Sequence, residues 1–227
     1  MFNKPRRSFR KSPGGSADIR AYKRYRKDGM ELNHKIMGAT LDKGAISHAA
    51  GALGMAGQNR MLILDSESEL SVLMDYALYE CRSQGKNAVE RYQEQVGGKS
   101  RIEQELLTAM VASSTSLFKA VSVSKEMCTI RLNDLVNEGH TITLIDINFS
   151  QSVKPGWLLF VRPVTFENFS MTSGIAFLFP GDLEDELLAQ WRRIQSRRGR
   201  SAQPVSARRY ATFFKLSKRT GIEVRYE

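Results

Sequence analysis

Cysteine and histidine are scarce in this chain of 227 residues, which has two of the first and three of the second. Cys81 and Cys128 lie far apart and match neither zinc-ligand nor redox spacing. That excludes a disulfide scaffold, and free thiols point to a reducing, cytoplasmic setting. His34, His48 and His140 form no H-E-x-x-H or histidine–cysteine cluster, so no metal site is expected. Long hydrophobic runs are also missing. Residues 157–161 make one of the longest, far below the roughly 20 residues of a membrane helix. The basic N-terminus has no apolar stretch behind it and reads as no secretory signal. Gly51, Gly54 and Gly57 lack the Lys and Ser/Thr of a phosphate loop. The densest carboxylates, Asp65, Glu67, Glu69 and Asp75, are explained by helix capping before any two-metal nuclease site. Cys128 has no base partner in the pattern. No catalytic constellation and no cofactor site emerges, and the chain is read as a non-enzyme.

Charge is what the chain has in excess, at a formal +10. It is unevenly spread. Residues 1–30 hold ten Lys and Arg against Asp18 and Asp28, and residues 191–227 hold eleven against Glu223 and Glu227. The ends therefore carry +8 and +9, which leaves −7 for residues 31–190. Two basic segments flanking an acidic middle can follow a polyanion. The polyanion reading is favoured; the alternatives are that they lie across the acidic middle of their own chain, or dock on an acidic protein or a membrane surface.

Pro13-Gly14-Gly15 separates a flexible basic arm, residues 1–15, from a helical region over 16–113. Ser16 opens a helix to about Met37, with only loosely periodic apolar residues. A second helix fits 42–53 and stops at Gly54. Ser66 and Glu69 read as a capping box before a helix whose apolar face is Leu70, Leu73, Met74, Ala77, Leu78 and Cys81. Asn87 begins a short helix to Val96. Ser100 and Glu103 form a second capping box before the stripe Ile102, Leu106, Leu107, Met110 and Val111.

From Ser116 the period changes from helical to alternating. Five strand candidates, 117–123, 127–132, 141–149, 157–164 and 173–179, are spaced by turn residues. They predict a small antiparallel five-stranded curled sheet or barrel. Asp182 then caps a covering helix with Leu183, Leu187, Leu188 and Trp191 on one face, closing a β-rich region over 114–198. Residues 199–227 read as a basic tail: a linker, an apolar cluster at Tyr210, Phe213, Phe214 and Leu216, and alternation over 221–226. The expected class is α+β, folding as one unit.

Within the strand region, Ile130-Arg-Leu-Asn-Asp-Leu135, the segment from Lys154-Pro-Gly-Trp157 to Val164, and Phe179-Pro180 carry a resemblance. Over about 70 residues the chain resembles a small C-terminal β-rich module of an uncharacterised bacterial protein family. The resemblance implies no activity.

The expected function is non-catalytic nucleic-acid binding through phosphates. The candidate contacts are Arg6, Arg7, Arg10, Lys11, Lys23 and Arg24 in front, and Arg192, Arg193, Arg197, Arg198, Arg200, Arg208 and Arg209 behind. Phe2, Phe9, Tyr22 and Tyr25, with Tyr210, Phe213, Phe214 and Tyr226, interleave with them as candidate stacking groups, although a Phe-Phe pair usually faces a core. Single-stranded RNA or DNA is slightly favoured, because no helix carries a set of groove-reading side chains. The alternative is a protein-interaction adaptor in a bacterial assembly.

Overall fold

The computed structural model describes residues 15–58, 61–196 and 203–222. The basic arm and the terminal alternation at 223–227 lie outside the described residues. Five helices come first: α1 (Ser16–Thr40), α2 (Lys43–Leu53), α3 (Glu67–Tyr79), α4 (Ala88–Gln95) and α5 (Arg101–Ala112). Each start has a local cause. Asp42 accepts from Ala45 N at 2.7 Å, and Gly54 ends α2 in the left-handed region at φ +80°, which glycine adopts without strain. Asn87 and Glu90 exchange side-chain and backbone bonds at the start of α4. Ser100 caps α5 through Glu103 N, while Glu103 reaches back one residue further than expected, to Lys99 N.

The expected box at Ser66 does not form. Glu69 instead accepts from Asp65 N at 2.8 Å and pairs with Lys218 at 2.7 Å, and the Ser66 hydroxyl turns to Ser68. One carboxylate oxygen thus still serves the start of α3, and the other takes a cation from the last helix of the chain. The helix α3 is buried on both sides: Val72, Leu73, Tyr76 and Ala77 join one apolar cluster, Leu78 and Tyr79 another. Leu70 is left 44% exposed.

The strands β1 (Ser116–Ser124), β2 (Thr129–Asp134), β3 (Thr141–Ile145), β4 (Leu158–Thr165) and β5 (Ser170–Phe179) close a barrel in the order β1-β2-β3-β5-β4. The expected strand count is met, but the pairing is mixed: β3 and β5 run parallel through Leu144 and Ser170. The reason is the route of the chain. A one-turn helix, α6 (Phe149–Ser152), follows β3 and delivers β4 beside β1. The hairpin back from β4 then lays β5 along β3 in the same direction. Asp146 ends β3 early by capping α6 through Phe149 N at 3.0 Å. Cys128, read as a strand residue, sits instead at φ +52° in the β1–β2 turn.

Phe118, Ile130, Leu132, Leu144, Leu159 and Val161 fill the barrel. The strand β4 is buried on both faces, because Leu158 and Phe160 pack outward against helices. A continuous apolar run is the sequence form of such a strand. After a 3-10 turn at Gly181–Leu183, α7 (Glu184–Ser196) buries Leu187 and Ile194 and brings Trp191 to 6.4 Å from Phe160 of β4. The segment read as a basic tail holds a full helix, α8 (Val205–Thr220), whose Ala207, Tyr210, Phe213 and Phe214 are buried. Phe213 stacks on Phe160 of β4 at 4.5 Å between centroids.

Both cysteines are free. Burial pushes the Cys81 thiol up to about 11, with the Glu80 charge adding to it. A thiol reagent is therefore expected to modify Cys128 first, and Cys81 only after unfolding. Equal rates for both in the native protein would contradict this.

A buried ionic joint links α3 to the barrel. Arg162 of β4 donates to Glu80 at 2.5 Å and to Ser113 O at 3.0 Å, with Tyr79 4.2 Å below its guanidinium. Asp75 lies beside it, so two buried acidic groups face one cation. Oδ2 of Asp75 and Oε2 of Glu80 have no hydrogen-bond partner among the described residues. Burial raises the Asp75 carboxyl above the ordinary range, with Arg162 opposing. The native state then holds a proton that the unfolded chain releases above about pH 4. Its contribution to stability is complete below that pH and is lost as pH rises through the raised native value. Asp75→Asn removes this dependence, so its urea midpoint should gain on wild type between acid and neutral pH. Parallel curves would contradict a buried protonated Asp75.

Candidate nucleic-acid interface

The helix α1 buries Tyr22, Leu32 and Ile36 and turns its cations two ways. Arg26 faces inward: it donates to Thr172 O at 2.9 Å and to Asp146 at 3.1 Å, tying α1 to β5 and to the end of β3. Lys35 pairs with Glu103 of α5 at 2.6 Å. Arg20, Lys23, Arg24 and Lys27 are exposed. None of these four has an ion pair among the described residues. Their spacing of three, four and seven residues puts them within an arc of about 100° and a length of about 10 Å along the helix. They form one basic stripe, held in place by the same helix's contacts on the barrel.

The structure sorts the other candidates. Arg6, Arg7, Arg10, Lys11, Arg197, Arg198 and Arg200 lie outside the described residues. Arg192 and Arg193 are exposed on the last turns of α7. Arg208 and Arg209 serve packing: Arg209 lies 3.6 Å over the Trp191 ring and donates to Gln195, and Arg208 donates to Ile194 O at 3.4 Å. Together they clamp α8 to the end of α7. Burial and the Arg208 charge lower the Arg209 pKa. The front and rear cations belong to different packing units, α1 with α4 and α5, α8 with α7 and β5. Arg20 and Lys27, not singled out from the sequence, complete the stripe, and their helical spacing from Lys23 and Arg24 was the available signal.

Four of the five described aromatic candidates are core residues rather than open stacking platforms. Tyr22, Tyr210, Phe213 and Phe214 are buried. Phe2, Phe9 and Tyr226 lie outside the described residues. Tyr25 is half-buried and packs edge-on against Phe166 and Phe169 of the β4–β5 turn, at 4.7 and 5.4 Å between centroids. Its hydroxyl donates to Glu105. Burial, then that hydrogen bond, push the phenol up to about 12. These rings border a groove of about 800 Å³ between α1, α5 and the β4–β5 turn.

Comparison with curated proteins and with solved structures gives no match. A family model described as Family of unknown function (DUF7986) matches residues 16–227. The match takes in the strands that carried the resemblance and extends over α1 to α5 and on to the last residue. From the start of α1 onward, the chain is a member of the DUF7986 family, a family of unknown function.

Proposed function

We propose that the protein binds nucleic acid without catalysis, through phosphate contacts made by the α1 stripe. The observation that carries this reading is the set of four exposed cations, Arg20, Lys23, Arg24 and Lys27, with no ion pair among the described residues. Clustered cations without ion-pair partners gain most from displacing the counterions of a polyanion. A stripe about 10 Å long faces several phosphates of a duplex, which has one charge per roughly 1.7 Å of axis. Arg192 and Arg193 add a second, smaller set.

The barrel supports the reading at the level of fold. Closed five-stranded barrels with Greek-key connections include the oligonucleotide- and oligosaccharide-binding folds, whose ligands cross the outer face of strands 2 and 3. Here that face presents Thr129, Arg131, Asn133, Thr141 and Thr143, polar and without a ring. Fold alone assigns no function, and the weight of the reading rests on α1. Two free thiols suit the cytoplasm as its compartment.

The first test is the ultraviolet absorbance of the purified protein. A raised 260/280 ratio at low salt, falling after a high-salt wash, is the expected result. A protein-only spectrum under both conditions would count against the reading.

One observation favours the adaptor alternative. Met61, Leu62, Ile63 and Leu70 are exposed near the start of α3, Met61 at 67%. A nuclease-resistant protein complex that is lost on Ile63→Ser would put that reading first.

A further inference from the structure

We propose that the groove between α1, α5 and the β4–β5 turn takes an unpaired nucleobase of a single strand whose phosphates run along the α1 stripe. The proposal rests on the nucleic-acid reading above and gives it a ligand conformation. Position comes first. Tyr25, on the wall of the groove, follows Arg24 in sequence, and its phenol senses the charges of Arg24 and Arg101. Arg101 lines the groove, paired with Glu105 at 2.8 Å, and Arg24 of the stripe stands one residue before Tyr25 on α1. At about 800 Å³ the groove falls in the range of sites that hold a nucleotide-sized ligand.

The chemistry of the lining fits a base better than a phosphate. Ala17, Ala21, Ala109 and Ala112 line it with small side chains from the two helices. Tyr25 and Phe166, both half-buried, bring aromatic rings against which a base can pack. Asn168 is an exposed amide that offers both a donor and an acceptor, the pairing that base edges require, and Gln104, whose nitrogen donates to Gly98 O at 3.2 Å, adds an acceptor. Glu167, exposed at the turn, repels phosphate from the interior and can accept from exocyclic amines or ribose hydroxyls, whereas Glu105 is taken up by Tyr25 and Arg101. A strand with its phosphates outside at Arg20 and Arg24, and one base turned in, satisfies both sets of groups. A duplex cannot present such a base without unpairing it.

Phosphate contacts alone favour the duplex, which has the higher charge density. A preference for single strands therefore reports the groove. The test is fluorescence anisotropy with labelled 15-mers of one sequence, as single-stranded RNA, single-stranded DNA and duplex DNA, at one salt concentration. Single strands should bind about tenfold tighter than the duplex, and the RNA and DNA arms identify which strand is the source of the base. Phe166→Leu keeps apolar bulk against Phe169 but removes the ring, and Asn168→Ala alters an exposed turn residue. Each should weaken single-strand binding about tenfold and leave duplex binding unchanged. Equal affinity for single strand and duplex overturns the groove proposal, as does single-strand affinity unmoved by both substitutions. In either case the stripe reading stands. Failure to bind any of the three nucleic acids overturns both.

Discussion

Replacing Arg162 with Met is expected to cost about 3 to 5 kcal/mol of folding stability, read as a large drop in the urea midpoint. Arg162 is 5% exposed and its partner Glu80 is 2% exposed. Taking away the guanidinium leaves a buried carboxylate without a counter-charge, and Asp75 adds a second acidic group at the same place. Desolvation of an unpaired charge, not the loss of one hydrogen bond, sets the size of the effect. The double variant Arg162→Met with Glu80→Leu removes both charges and should recover most of the loss, since a buried ion pair is often close to neutral against apolar replacements. A single variant within 1 kcal/mol of wild type, a threshold set by ordinary substitutions, would mean that the joint between α3 and β4 is not held ionically.

Changing Arg20, Lys23, Arg24 and Lys27 together to Gln should lower nucleic-acid affinity about four-thousandfold at 0.1 M salt. Four phosphate contacts correspond to about 3.6 units of logarithmic salt slope on duplex, and 0.1 M lies one decade below the salt at which that term vanishes. The loss should be the same for every sequence, because phosphate contacts position without reading bases. The fold should be unaffected: all four side chains are exposed, and Gln is a good helix former. Titration of wild type and variant with a labelled duplex, alongside their circular dichroism, checks both halves. A folded variant that binds like wild type would move the interface away from α1.

The five strands were legible because alternation and turn residues are local properties of the chain. Their pairing was not. Nothing in the runs at Thr141–Ile145 and Ser170–Phe179 says that they lie side by side in parallel, since that depends on where α6 sends β4. The helix α8 was obscured by linker-like residues before it and by its own five cations, although Ala207, Tyr210, Phe213 and Phe214 have helical spacing. In α1 the buried residues are too few to show a period, and the exposed cations show it instead. Lys23 and Arg24 stood out as neighbours in a basic segment, whereas Arg20 and Lys27 needed the helix angle to join them. Arg208 and Arg209 were legible as charge but not as a clamp, because Trp191 and the end of α7 meet them only in the folded chain.

If the α1 stripe binds phosphates, the affinity of the wild-type protein must fall as salt rises. Binding of a labelled duplex, followed from about 0.05 to 0.3 M monovalent salt, should give a logarithmic slope of −3.6 or steeper, with about −0.9 for each phosphate neutralised. An affinity that does not change with salt would mean that the stripe binds no phosphate.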